Sequence, residues 1–195
     1  MYRSLVLWVA LIVAPIIGTG CSVLEGSGSE DYRSSILTAL VWPEPGNITV
    51  YMAPTLAGSG EAVAEADREA IRNGFRAWTN GLSGMAVAFV TTESEADIVV
   101  RFAVSSPGVT IARTTVSPAS STEIAKVTML FLVNPAPHDL DLTCLHEIGR
   151  ALGMVDGRSP YAFDVMSGQP NLTPAPSERD LETLRVIYRE QGLEI

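Results

Sequence analysis

Blocks of apolar residues along the chain predict a strand, a long helix, a group of strands and two further helices. Residues 48–53 (ITVYMA) are β-branched and aromatic, which indicates a strand. From Glu61 to Gly81 apolar side chains recur at spacings of three and four, with charges between them, which predicts an amphipathic helix. Its apolar face contains Ala70, Ile71, Gly74, Phe75, Trp78 and Leu82.

Four more segments have the composition of strands. They are residues 85–90 (MAVAFV), 96–104 (ADIVVRFAV), 109–116 (VTIARTTV) and 126–133 (KVTMLFLV). The second is apolar enough to lie inside a sheet, with neighbours on both sides. A strand and a helix followed by several strands and further helices predict an α+β domain.

Two helices are predicted in the last third of the chain. Asp141 can cap a helix that runs from Leu142 to about Leu152, and Gly153 ends it. Further on, residues 177–190 (SERDLETLRVIYRE) begin with Ser177 and Asp180 at the spacing of a capping box.

The first residues have the pattern of an export signal. Arg3 precedes an apolar run, and small residues then lead to Cys21, so we interpret residues 1–20 as a signal peptide. The segment IIGTGC resembles a bacterial lipoprotein signal, which implies that Cys21 is lipidated. An uncleaved apolar anchor and a plain signal peptide are the alternatives, and all of them place the domain outside the cytoplasm. Residues 21–46 are then a flexible linker, and residues 47–195 form the domain.

Charge and cysteine content narrow the partners and the chemistry. The formal net charge is −9, which disfavours nucleic acid and anionic membrane surfaces as partners because proteins that bind them carry basic patches. Lipidation of Cys21 leaves Cys144 as the remaining cysteine, so an internal disulfide is not expected. We expect Cys144 to be a small buried hydrophobic residue.

The segment HEIGR, residues 146–150, places polar groups on one side of the predicted helix. Residues four apart lie above one another, so His146 and Arg150 project from the same face. At about 100° per residue, the side chains on the opposite flank point to the core. They are Leu145, Ile148 and Leu152.

The longer stretch HEIGRALGMVD resembles the metzincin signature of zinc peptidases, H-E-x-x-H-x-x-G-x-x-H/D, and FDVM follows where a Met-turn belongs. NITVYMA, AIRNGFRAW, ADIVVRF and LTPAPSERDLETLRVIY are similar to further elements of the matrixin, or matrix-metalloproteinase-like, branch. The resemblance implies a metzincin-like (zincin) fold with a twisted mixed sheet, a long first helix, an active-site helix and a C-terminal helix.

The resemblance also implies roles for individual residues. His146 would be a zinc ligand, Glu147 the general base that acts on zinc-bound water, and Asp156 the third ligand. Gly153 would allow the turn that returns the chain to the metal, and Met166 would lie beneath the site.

Arg150 departs from the signature, because it occupies the place of the second ligand. A guanidinium has no lone pair to give a metal and adds a positive charge beside it. We expect Arg150 to take the place of the metal and to form forked hydrogen bonds with Glu147 and Asp156. The alternatives are that Arg150 points into solvent, or that His138 replaces the missing ligand.

Two functions follow. In the first, the domain is a cell-envelope homologue of matrixins with impaired or lost peptidase activity, and it binds a peptide or protein in the same cleft. In the second, it is an active but atypical zinc endopeptidase that uses His146, Asp156 and another ligand, with Glu147 as the base. Both are membrane-anchored through Cys21 and bind no nucleic acid.

Overall fold

The computed structural model describes residues 30–104, 112–133, 140–167 and 174–195. The signal peptide, Cys21, the first part of the predicted linker and His138 lie outside these residues. The helices and strands of the described parts are β1 (Ile36–Ala39), β2 (Ile48–Ala57), α1 (Glu65–Thr79), β3 (Val87–Val90), β4 (Ile98–Val104), β5 (Ala112–Pro118), β6 (Ile124–Val133), α2 (Leu140–Ala151), β7 (Met154–Gly157) and α3 (Glu178–Arg189).

Five strands form a mixed sheet in the order β3-β2-β4-β6-β5. β2, β3, β4 and β6 are parallel, and β5 at the edge runs antiparallel to β6. The predicted interior position of 96–104 is confirmed, since β4 lies between β2 and β6 and its residues Ile98 and Val100 are fully buried. Together with the helices, this sheet makes the chain an α+β protein.

Helices α1 and α2 pack against each other through their predicted apolar faces. Trp78 on α1 is fully buried, and its indole N–H donates to the carbonyl oxygen of Leu145 on α2 at 2.9 Å. Gly74 lets the helices approach, because a Cβ there would lie 2.8 Å from the sulfur of Cys144. Cys144 is fully buried, as predicted. The predicted core residues Leu145, Ile148 and Leu152 are also buried.

The predicted linker boundary at residue 46 is wrong, because the fold already includes residues well before it. β1 pairs antiparallel with β7, and the preceding Tyr32 is only 2% exposed. Trp42 is buried as well, and its indole N–H donates to the carbonyl oxygen of Ala151 at 3.0 Å. Residues 32–42 therefore belong to the folded domain, and Trp42 packs against the C-terminal end of α2.

The ends of the late helices agree only partly with the prediction. α2 already includes Leu140, so Asp141 lies inside the helix and its predicted role as the cap is wrong. The capping box of α3 is confirmed, because the Ser177 hydroxyl accepts from the Asp180 amide and the Asp180 carboxylate accepts from the Ser177 amide.

Within the described ranges, no helix combines the length and apolar character that a bilayer span requires.

Candidate functional site

Helix α2 presents His146, Glu147 and Arg150 near its C-terminal end, where β7 and the loop around Met166 pack against it. Glu147 is 8% exposed, while His146 and Arg150 are partly exposed. The predicted placement of His146 and Arg150 on one face follows from the helix that contains both.

His146 is oriented by a backbone carbonyl. Its Nδ1 lies 3.0 Å from the oxygen of Val165. A carbonyl oxygen only accepts, so Nδ1 must carry the proton in this contact. In a neutral imidazole this leaves the lone pair on Nε2, which is the form that can bind a metal or accept a proton.

Glu147 combines burial with an unsatisfied carboxylate. No described residue forms a hydrogen bond with its Oε2 atom. Its backbone carbonyl accepts from the Thr114 hydroxyl at 3.3 Å, which ties α2 to the edge strand β5. A buried carboxylate oxygen without a hydrogen bond is costly, and the guanidinium of Arg150, 3.8 Å away, offsets part of this cost as an ion pair.

Arg150 is anchored to backbone rather than to Glu147. Its Nε donates to the carbonyl oxygen of Val155 at 3.1 Å, and its Nη1 lies 3.8 Å from Glu147 Oε2. The second distance is too long for a hydrogen bond, so the predicted fork onto Glu147 is wrong. The Arg150 side chain is 31% exposed, so it is only partly accessible to solvent.

Gly153 and β7 bring the chain back to α2. Gly153 has φ +139°, and a Cβ there would lie 2.4 Å from the carbonyl oxygen of Leu40, so only glycine fits. In β7 the backbone of Asp156 pairs with Thr38. The Asp156 side chain lies outside the described part of the structure, and the predicted contact of its carboxylate with Arg150 stays a prediction.

Met166 lies directly against α2. It is fully buried, and a Cβ on Gly149 would come within 2.5 Å of its sulfur. Residues 165 and 166 thus pack below the helix turn that carries His146 and Arg150.

Sequence reasoning missed a buried polar network beneath this loop. Asp180 is fully buried, and its carboxylate accepts from the amides of Val165 and Ser177, each at 2.9 Å. The Met166 amide lies 3.4 Å away, and the Tyr32 hydroxyl also donates to Asp180. Only the Ser177 contact had a sequence signal, the capping box, because the others join distant segments.

A second buried carboxylate completes the network. Asp164 is fully buried and accepts from Arg179 through Nε at 3.2 Å and Nη2 at 2.9 Å, which is a forked pair. The hydroxyls of Ser159 and Ser177 also donate to it. The hydrogen bonds between Arg179 and Asp164 are the main reason that the pKa of Arg179 is raised.

The buried tyrosines predict a pH dependence. Burial, followed by the charge and hydrogen bond of Asp180, raises the pKa of Tyr32 well above its ordinary value of 10.0, and burial also raises the pKa of Tyr188. The unfolded chain would lose these protons near pH 10 while the folded protein keeps them. The resulting stability is complete below that pH and falls above it, by about 1.4 kcal/mol per pH unit for each such tyrosine.

Urea unfolding between pH 8 and 11 tests this dependence. Lysine adds little there, because Lys126 is the single lysine of the sequence. Tyr32→Phe should show a shallower loss of stability above pH 10 than the unchanged chain. Equal slopes would contradict the assignment to Tyr32.

The described side chains supply only part of the zinc site that the resemblance implies, because the side chain of Asp156 lies outside them. A catalytic zinc site needs about three protein ligands. His146 offers Nε2, Arg150 offers no lone pair, and no three His, Cys, Asp or Glu side chains of the described residues form a group that could hold a metal ion.

We compared the chain with models of protein families and with curated proteins, and nothing matches in either comparison.

Proposed function

We propose that this chain is an exported, lipid-anchored homologue of the matrixin branch of the metzincins, with peptidase activity impaired or lost because Arg150 replaces the second zinc-ligand histidine. The proposal rests on the signature around His146 and on the chemistry of Arg150. Attachment to a membrane of the bacterial cell envelope through Cys21 belongs to the same proposal. The partner in this proposal is a peptide or protein, and the acidic net charge disfavours nucleic acid.

The architecture is compatible with a metzincin-like domain. It has a mixed five-stranded sheet, a long first helix α1, the helix α2 with its HEIGR segment, and the late helix α3. Met166 lies against α2, where a Met-turn residue would support the site. These features support the proposal because they arise from segments far apart in the sequence.

One observation carries the functional conclusion. Arg150, which stands in the sequence where the signature has its second ligand, donates to the carbonyl oxygen of Val155 at 3.1 Å and lies 3.8 Å from Glu147 Oε2. Two unit charges about 4 Å apart repel by about 4 kcal/mol at an effective dielectric of 20, and zinc carries two charges. This repulsion and the loss of a ligand both oppose tight zinc binding. The arginine also puts a cation beside Glu147, the carboxylate that would act as the base.

The sheet edge beside α2 can bind a peptide without a metal. Among the described residues β5 pairs on one side only, with β6, and Thr114 of β5 contacts α2. An extended peptide can add to such an edge through backbone hydrogen bonds.

The second candidate is an active, atypical zinc endopeptidase that uses His146, Asp156 and another ligand, with Glu147 as general base. The hydrogen bond between His146 and Val165 favours it, because Nε2 is left free to bind a metal. His138, the alternative ligand, lies outside the described residues.

Arg150→His tests the proposal. Restoring an imidazole removes the positive charge and returns a ligand, so zinc affinity should rise by about 100-fold or more. We would measure zinc binding of the purified full-length chain by calorimetry, and peptide hydrolysis with a library of fluorogenic peptides. The unchanged chain should show neither.

Arg76→His is the matched control, because Arg76 is also a helical arginine paired with a glutamate, on the exposed side of α1. It should leave zinc binding as weak as before. If hydrolysis appears in Arg150→His, adding Glu147→Gln should abolish it. If the unchanged chain binds zinc and hydrolyses peptides as well as Arg150→His does, the proposal is refuted in favour of the second candidate.

A further inference from the structure

A continuous series of buried contacts joins Tyr32, near the start of the described chain, to His146. The Tyr32 hydroxyl donates to Oδ1 of Asp180. The Asp180 carboxylate accepts from the amide of Val165 at 2.9 Å and lies 3.4 Å from the amide of Met166. The carbonyl oxygen of Val165 then contacts Nδ1 of His146 at 3.0 Å.

Peptide geometry makes these contacts dependent on one another. The carbonyl of Val165 and the amide N–H of Met166 belong to the same planar peptide unit and point in opposite directions. Asp180 holds the N–H side of this unit, so the carbonyl side is directed at His146. A rotation of the unit would break both contacts together.

Burial prevents water from replacing the lost contacts. Tyr32 and Val165 are each 2% exposed, and Asp180 is fully buried. The Tyr32 hydroxyl and the Met166 amide both donate to Oδ1 of Asp180, whereas the amides of Val165 and Ser177 donate to Oδ2. Without the Tyr32 hydroxyl, the carboxylate shifts toward the donors of Oδ2 and loosens its 3.4 Å contact with the Met166 amide.

We propose that Tyr32 is a positioning residue for His146, acting through Asp180 and the peptide unit between Val165 and Met166. The Tyr32 hydroxyl fixes the carboxylate, the carboxylate fixes the peptide unit, and the carbonyl of that unit keeps the imidazole proton on Nδ1. The segment that follows the predicted lipid anchor thereby keeps Nε2 of His146 as the free, lone-pair-bearing nitrogen. The inference rests on the proposed function only in taking His146 as a site residue.

Nitrogen NMR of histidine tests this role directly. The full-length chain contains two histidines, His138 and His146, so His138→Asn assigns the signals. At pH 8 and without metal, the unchanged chain should show His146 with a protonated Nδ1 and an unprotonated Nε2. In Tyr32→Phe the ratio of the Nδ1–H to the Nε2–H form should fall by about threefold or more, as expected for a weakened hydrogen bond.

Tyr188→Phe is the matched control. Tyr188 is another fully buried tyrosine, and its hydroxyl donates to the carbonyl of Leu152 at 2.8 Å rather than to the network of Asp180. This variant should lose stability but keep the native tautomer ratio. Where a variant is partly unfolded, the spectra of all three proteins are compared in sucrose, which favours the folded state.

An unchanged His146 tautomer in folded Tyr32→Phe would overturn the proposal. An equal change of the His146 tautomer ratio in Tyr188→Phe would also overturn it, because the ratio would then report a general loosening of the packing rather than the contact with Tyr32. The backbone amide of Tyr32 still donates to Thr183 in the phenylalanine variant, which keeps the segment docked. Since the readout involves neither zinc nor hydrolysis, its failure would leave the test of Arg150 standing, and the reverse also holds.

Discussion

We expect Gly153→Ala to destabilise the domain by about 3 kcal/mol. Gly153 has φ +139°, which is unfavourable for a residue with a side chain. The added Cβ would also lie 2.4 Å from the carbonyl oxygen of Leu40, and a backbone atom cannot move aside as a side chain can. β1 would have to separate from the turn that leads α2 into β7.

Gly58→Ala separates the cost of backbone strain from the cost of the clash with Leu40. Gly58 also has a positive φ, +91°, but a Cβ there would meet no atom within 4 Å. Backbone strain alone should cost about 1 kcal/mol at this position. Urea unfolding of the two variants measures the difference, and equal losses of stability would show that the approach to Leu40 has no energetic weight.

Asp180→Ala should cost at least about 3 kcal/mol of the free energy of unfolding. The carboxylate accepts from Tyr32, Val165 and Ser177, and the substitution leaves these buried donors without a partner. The loop that contains Met166 and the N-terminus of α3 would both lose their anchor. Urea unfolding monitored by tryptophan fluorescence gives the change.

Glu182→Ala is the control on the same helix. Glu182 is 25% exposed in its side chain and pairs with Arg185 at 3.1 Å and Arg189 at 3.7 Å on the surface. Such pairs contribute up to about 1 kcal/mol, so this variant should remain close to the unchanged protein. A loss as large as that of Asp180→Ala would mean that the buried network has no special role.

The order of elements could be predicted from sequence because it depends on local patterns. The apolar face of α1 recurs at helical spacing, and Phe75 and Trp78 are buried as predicted. The strands follow from β-branched and apolar runs. The exceptions are β1 and β7, which were not predicted as strands and which pair with each other across more than 100 residues.

In the site, too, local geometry could be predicted and contacts between distant segments could not. Helical geometry alone places His146 and Arg150 on one face of α2. The partner of Arg150 could not be predicted, because the carbonyl of Val155 competes with the carboxylate of Glu147 only once β7 has folded back. The role of Asp180 was likewise visible only as a helix cap, since its bonds to Tyr32 and Val165 cross between segments.

The zinc content of the unchanged chain tests the central claim most directly. We would purify the full-length protein, incubate it with excess zinc, remove free metal by gel filtration and measure bound zinc by mass spectrometry. If Arg150 takes the ligand position as proposed, zinc should be far below one ion per chain. One tightly held zinc per chain would contradict the account and would favour the second candidate, a zinc endopeptidase that does not need a histidine at position 150.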